Sequence, residues 1–225
     1  RPLGIIDIPL TYEQDMNQDP WVITIDNFLT HQECDDLIQI GYDQRGGYKR
    51  SKDVGHQNFD GSFEGKTSLT RTSENSWCSD RDGCRSLPLV QQIHQRIQNI
   101  TGIPQENSED FQILKYEVGQ FYRTHHDYIE HQTKRACGPR ILTFFLYLSD
   151  VEEGGGTGFP DLNELVITPK KGMALLWPSV LNHDPSKKDP RTIHEAQEVK
   201  KGTKFAANGW IHLYNYIEPQ KSGCT

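Results

Sequence analysis

The sequence predicts a mainly β protein with flanking helices, an α+β arrangement in which N-terminal helices support a double-stranded β-helix, or jelly-roll, core. Three observations carry this. Helical periodicity is confined to the first half of the chain; from Phe111 onward short strand-like segments follow one another, separated by Gly, Pro and Asp turns; and helices and strands never alternate as βαβ units require. At 225 residues the chain suits a single domain over residues 21–217, with an extension over 1–20 and a tail over 218–225.

The elements follow in order. "WVITI" alternates as a strand from Trp21 to Ile25, and Thr30 with Glu33 then has the spacing of a helix capping box. Leu37 and Ile38 give that helix an apolar face, with Gly41 as its stop signal. The polar, Gly-rich stretch that follows, residues 44–68, reads as a long mobile loop, and its part from Gly46 onward is a candidate lid over a site. "LPLVQQIHQRIQNITGI" repeats apolar residues at Val90, Ile93, Ile97 and Ile100, a second helical stripe, with His94 expected at its surface or boundary. The strands are "FQILKYEV", "RILTFFLYLS", "ELVITP", "GMALLWPS" and "KFAANGWIHLYNYI".

Composition narrows the function. The formal net charge is −7 and no Lys/Arg stripe develops, which excludes nucleic acid and anionic membranes as principal partners. No apolar run approaches the about 18 residues of a spanning helix, so this fragment offers no direct membrane contact. The chain starts at Arg1 without a methionine, as a processed or trimmed N-terminus would. Five cysteines form no CxxC pair, against a structural zinc site. Cys78 and Cys84 flank an Asp/Gly turn and either close a small disulfide loop or stand as two thiols. Asn99-Ile100-Thr101 is a glycosylation acceptor if the chain enters the secretory pathway.

The chemistry concentrates in "FYRTHHDYIEHQ", residues 121–132. On an extended strand residues i and i+2 share a face, so His125 and Asp127 project together and His126 points away. That pair is two thirds of a 2-His-1-carboxylate triad, the set that holds non-haem Fe(II) with coordination positions left open. The third ligand must come from a distant histidine, and His183, His194 and His212 lie downstream. Lys204 follows His194 on the next expected strand, where adjacent strands would bring both into one cavity. A buried ammonium there calls for an anion, and a dicarboxylate would supply it.

Together these segments resemble a known family. From Trp21 to Ile217 the chain is similar to the catalytic domain of the collagen-type and plant-type prolyl 4-hydroxylases, which are Fe(II)- and 2-oxoglutarate-dependent dioxygenases. The matching pieces are "NFLTHQECDDLI", "RTSENSW", "YEVGQFYRTHHDY", "RILTFFLYLSDVEEGGGTGFP", "PKKGMALLWPS" and "RTIHEAQEVKKGTKFAANGWIH". The resemblance implies that His125, Asp127 and His194 bind iron, that Lys204 and Thr157 receive the far carboxylate of 2-oxoglutarate, that Tyr116 hydrogen-bonds the cosubstrate and that Trp210 walls its pocket. It implies Arg71, Ser73, Glu109, Tyr122, Arg140 and His212 as peptide-facing residues, suited to an extended proline-rich segment. The implied reaction consumes O2 and 2-oxoglutarate, releases succinate and CO2 and places a hydroxyl on prolyl C4, with L-ascorbate as reductant; Asp127 argues against halogenation, which needs a small residue at that position.

Two departures bear on substrate preference: "GGGT" stands where an acidic residue often precedes the threonine, and "HEAQEV" replaces a small-residue, Cys-Pro continuation. The alternatives left open are a related oxygenase acting on lysine or on a folded protein, a proline-rich-peptide binding module without turnover, and a metal-free lectin-like jelly roll. In plant-type relatives a Cys-rich module often follows the catalytic domain, and Cys224 is either its first cysteine or part of an ordinary terminus. The expected location is the lumen of the endoplasmic reticulum or Golgi, with an anchor upstream of Arg1.

Overall fold

The computed structural model describes residues 20–51, 53–57, 63–66 and 69–223 together with the strand Gly4–Ile5. In chain order the elements are β1 (Gly4–Ile5), β2 (Ile23–Ile25), α1 (His31–Asp43), β3 (Lys49–Arg50), β4 (Asp53–Gln57), β5 (Phe63–Lys66), β6 (Glu74–Trp77), α2 (Pro88–Thr101), β7 (Gln112–Tyr116) and β8 (Tyr122–His125). There follow β9 (Arg140–Tyr147), β10 (Glu153–Gly154), β11 (Thr157–Phe159), β12 (Leu165–Ile167), β13 (Ala174–Pro178), β14 (Val180–Leu181), β15 (Asp184–Lys188), β16 (His194–Ala196), β17 (Val199–Lys201), β18 (Lys204–His212) and a short α3 (Ile217–Lys221).

Two antiparallel sheets make the core: an eight-stranded sheet in the order β1-β2-β13-β9-β18-β7-β6-β3, and a four-stranded sheet in the order β12-β11-β16-β8. They face one another as a jelly roll, the fold class expected, without closing into a barrel. The larger sheet is buried on both faces because its strands alternate between two sets of partners. Ile113, Phe144, Leu146, Ala207 and Ile211 pack against Leu37 of α1 and Val90, Ile93 and Ile97 of α2. Leu114, Tyr116, Phe145, Tyr147 and Ala206 turn the other way, toward Phe159 and Val199.

The helices show where local signals decide and where packing overrides them. Thr30 caps α1 with both halves of the capping box formed, so two backbone N–H groups that the helix leaves without partners are satisfied. Gly41, expected as a stop, lies inside α1 instead. It is there for space: a Cβ on it would sit 2.4 Å from the Tyr48 hydroxyl, which donates to the Ile38 carbonyl at 3.3 Å. In α2 Pro88 occupies the first turn and Gly102 closes the helix in the left-handed region, φ 71°.

Two α2 expectations are corrected. Ile100 is 45 % exposed and His94 only 1 % exposed. The buried face of α2 is Val90, Ile93, His94 and Ile97, so His94 extends the stripe along one edge, while Ile100, on the other edge in the last turn, faces solvent. The His94 ring stacks on Phe111 with centroids 4.3 Å apart, and burial pushes its pKa down to about 3.

The stretch read as a mobile loop carries β3, β4 and β5, the last two paired as an antiparallel hairpin. Of the lid expected over residues 46–68, residues 52, 58–62 and 67–68 lie outside the described residues, as does Cys224. Cys78 and Cys84 form a disulfide, while Cys34 and Cys137 are buried thiols. No helix among the described residues is long and apolar enough to cross a membrane.

Candidate metal and cosubstrate site

The site lies between the sheets. His125 ends β8 and faces His194 of β16 in direct register, and Asp127 follows where the chain leaves β8. One ligand atom from each of His125, Asp127 and His194 falls within 4.8 Å of the others. His126 turns away, its Nε2 2.8 Å from the Asp189 carbonyl, as the alternation requires.

The hydrogen bonds prepare these groups as ligands. His125 Nδ1 lies 2.9 Å from the Arg123 carbonyl and His194 Nδ1 lies 3.0 Å from the Thr192 carbonyl. A carbonyl only accepts, so both Nδ1 atoms carry the proton and both Nε2 lone pairs are free. Those Nε2 atoms are 3.9 and 3.6 Å from the Asp127 carboxylate. Burial and the nearby His194 push the His125 pKa down to about 3, which keeps it neutral. Burial raises the Asp127 pKa, but His194, His125, Arg140 and the Thr143 hydroxyl outweigh it and hold the carboxyl well below its usual range. Thr143 donates to Asp127 Oδ2 at 2.6 Å and so fixes the carboxylate plane. Two imidazoles presenting Nε2 and one carboxylate on one side, with Tyr122 stacked on His125 at 3.6 Å, fit a divalent iron with open positions opposite.

A small open cleft beside this triad, of about 30 Å³, is lined by Leu114, Tyr116, Phe145, Thr157 and Trp177 together with His125 and His194. Lys204 stands behind it, fully buried, its Nζ 5.4–5.6 Å from the ring centroids of Tyr116, Phe145 and Tyr147. Its ammonium donates to the Gly155 carbonyl at 2.6 Å, and no described carboxylate pairs with it. Burial alone pushes its pKa down to about 7. A cation in that state is a receptor for an anion. The Tyr147 hydroxyl donates to Thr157 Oγ1 at 2.7 Å, orienting the threonine. His194 and Lys204 are not on adjacent strands, as expected from their spacing, but on opposing sheets: β16 pairs with β8 and β11, whereas β18 pairs with β7 and β9.

The peptide-facing candidates divide into two groups. Near the cleft, Arg71 donates to Gln112 Oε1 at 2.9 Å, lies 4.6 Å above the Tyr122 ring and reaches Ser73 Oγ at 3.4 Å. At the far end of β18, Glu109 accepts from Arg140 at 2.5 and 3.0 Å and from His212 Nε2 at 2.8 Å. His212 Nδ1 also meets the Gly138 carbonyl at 2.8 Å, so both ring nitrogens donate and the ring is an imidazolium. Burial lowers the His212 pKa, but hydrogen bonds with Cys137 and Glu109 carry it up to about 9. Burial likewise raises Glu109, and Arg140 and His212 bring it down to about 2.

Trp210 does not wall the cosubstrate cleft. It sits three positions along the same face of β18 from Lys204, under the Arg140 guanidinium at 3.6 Å and 6.1 Å from Trp77. Thr143, Tyr147, Gln112 and Asn208 were missed in the sequence. All four are polar residues on the site-facing register of their strands, with Asn208 donating to Gln112 at 3.1 Å.

A jelly roll with this triad beside a buried, anion-seeking lysine defines an Fe(II)- and 2-oxoglutarate-dependent oxygenase, and a profile of the 2OG-Fe(II) oxygenase superfamily matches residues 111–212. The relatives narrow this further. Probable prolyl 4-hydroxylase 8 of Arabidopsis thaliana is 35 % identical over 91 % of this chain and 76 % of its own length. Prolyl 4-hydroxylase 2 of the same plant is 33 % identical over 92 % and 72 %. The 2OG complex of the viral collagen prolyl hydroxylase from Paramecium Bursaria Chlorella virus-1 superposes with a TM-score of 0.65 at 27 % identity, over 85 % of this chain and 95 % of that one. The chain belongs to the prolyl 4-hydroxylase family.

Proposed function

We propose that this oxygenase hydroxylates peptidyl proline at C4 in extended, proline-rich or collagen-like protein segments. The observation that carries the reading is the pairing of an open triad with Lys204, a buried ammonium that no described carboxylate pairs with and that shares the cleft's aromatic wall. His125 Nε2, His194 Nε2 and an Asp127 oxygen would hold Fe(II); Lys204 and Thr157 would take the distal carboxylate of 2-oxoglutarate, with Tyr116 beside it. When bound, these groups supply the oxidising power, one oxygen atom of O2 going to proline and one to succinate as CO2 is released. The residues of the chain would orient the cosubstrate, keep His125 neutral and exclude water around Lys204.

Beyond the metal, Arg71 and Tyr122 on one side and Arg140 over the Trp210 ring on the other would offer donors and ring faces to a polyproline-like backbone, which exposes its carbonyls; Ser73, Glu109 and His212 are buried and hold these groups in place. L-ascorbate is the proposed reductant and the endoplasmic reticulum or Golgi lumen the proposed location. The Cys78–Cys84 disulfide supports an oxidising compartment.

The test is mass spectrometry of a proline-rich peptide panel incubated with the protein, Fe(II), ascorbate and 2-oxoglutarate. We expect one added oxygen on proline, abolished by His194→Ala and weakened by Lys204→Ala. Succinate formation without peptide modification in the wild type would overturn the proline target, and modification that survives His194→Ala would overturn the metal assignment.

A further inference from the structure

The segment from Gln105 to Asp110 carries Glu109, yet it has little backbone pairing of its own, its one strand-like contact being the bridge between Ser108 and Ile211. It is held from two sides. On one side the end of β18 takes Glu109 N–H at the Trp210 carbonyl, 2.9 Å, and Asn107 donates to the His212 carbonyl at 3.1 Å. On the other side stands Arg85, only 7 % exposed. Its Nη1 donates to the carbonyls of Ser108 and Glu109, each at 3.2 Å, and to Asp110 Oδ1 at 3.3 Å, while Nη2 donates to the Gln105 carbonyl at 2.9 Å.

Arg85 itself is fixed by a closed loop. Cys84, the residue before it, is joined to Cys78, and both are buried. The loop is stitched to the same segment by Asp80 N–H to Asp110 Oδ2 at 3.2 Å and by Cys78 N–H to the Phe111 carbonyl at 2.9 Å. The residue before Cys78 is Trp77, which is 41 % exposed and lies 6.1 Å from Trp210. Arg140 covers the Trp210 ring and shares Glu109 with His212.

We infer that the Cys78–Cys84 loop and Arg85 act as a clamp that positions the far end of the peptide groove, presenting Trp77 from one end of the loop and, through the buried Glu109, holding Arg140 over Trp210 at the other; this rests on the prolyl hydroxylase reading. Arg85 is a positioning residue, since it touches neither the triad nor the Lys204 pocket. Its planar fork reaches four acceptors that a lysine ammonium would not satisfy together. Without it the carbonyls of Gln105, Ser108 and Glu109 lose a buried donor, and the segment must move to find replacements. That movement would shift the carboxylate that two buried cations share. The cosubstrate end, at Lys204, lies at the opposite terminus of β18 and is bonded to other residues.

The experiment compares the wild type with Arg85→Gln and with the double variant Cys78→Ala/Cys84→Ala, using poly-L-proline and (Pro-Pro-Gly) repeat peptides. The KM for peptide, the KM for 2-oxoglutarate and 2-oxoglutarate consumption without peptide are measured for each. We expect the peptide KM to rise roughly ten-fold in both variants while the two cosubstrate readouts stay within about two-fold of the wild type. An unchanged peptide KM in either folded variant overturns the clamp. So does a loss that strikes all three readouts alike and tracks the melting temperature, because that pattern marks a merely structural part. If one variant fails to fold, the other decides. A wild type that neither binds nor modifies the peptides overturns the hydroxylase reading itself, an outcome visible before any variant is compared.

Discussion

Lys204 shows how a single residue carries both a structural liability and a function. Its ammonium is fully buried, bonded to one carbonyl and ringed by three aromatic faces. Burial lowers its pKa to about 7, and ring faces with a single carbonyl stabilise a cation far less than a carboxylate would. Binding a dicarboxylate must raise that pKa again, so above about pH 7 binding has to be accompanied by proton uptake. The sign follows: 2-oxoglutarate affinity is flat below pH 7 and weakens as pH rises above it, approaching ten-fold per pH unit in the limit. Lys204→Met should bind weakly at every pH and lose the slope. Calorimetric titration of the Fe(II)-loaded protein under anaerobic conditions between pH 6 and 9 checks this, and a wild-type affinity independent of pH would contradict it.

At the scale of elements, α2 illustrates how much was legible. Its existence, its Pro88 start and its apolar stripe were plain from periodicity, and the strands of the larger sheet from Phe111 onward were plain from alternation. The short strands β11 and β16 were not, because three residues carry no period. The triad was therefore found by residue type and family resemblance, while the sheet assignment of His194 relative to Lys204 came out wrong. Thr143 escaped notice since a lone threonine among apolar residues reads as ordinary strand propensity. His94 escaped because a histidine in a helix is usually solvated. Both its ring nitrogens are buried without a hydrogen-bond partner, a state that costs on the order of 1–3 kcal/mol. His94→Leu should therefore stabilise the fold by roughly 1 kcal/mol at neutral pH, less than the full penalty because the Phe111 stacking is lost. Because the folded pKa of about 3 lies below the unfolded value, the wild type loses stability as pH falls from about 6.5 toward 3. The variant should lose less over that window, and urea unfolding at pH 7 and pH 4.5 measures both effects.

The molecule as a whole is two layers of core separated by one sheet, with chemistry only in the inner layer. Helices α1 and α2 support the larger sheet from outside and touch nothing at the cleft, whereas the site draws its groups from both sheets: His125 and His194 from the smaller one, Tyr116 and Lys204 from the larger. Asp127 bridges them, since it follows β8 of the smaller sheet and takes a hydrogen bond from Thr143 of the larger. A metal held by the triad and a dicarboxylate held by Lys204 would consequently cross-link the two sheets, and unfolding that separates them must release both ligands. The gain follows RT ln(1 + [L]/Kd), about 2.7 kcal/mol at a hundred-fold excess over Kd, which for a domain of this size corresponds to several degrees in melting temperature. Thermal unfolding without additions, with Fe(II) under anaerobic conditions, and with Fe(II) plus 2-oxoglutarate should then give two successive upward steps. His194→Ala should abolish the first step and Lys204→Ala only the second. A single step from 2-oxoglutarate without metal would mean that Lys204 captures the dicarboxylate alone, and the cleft would then be an anion site that the triad merely borders.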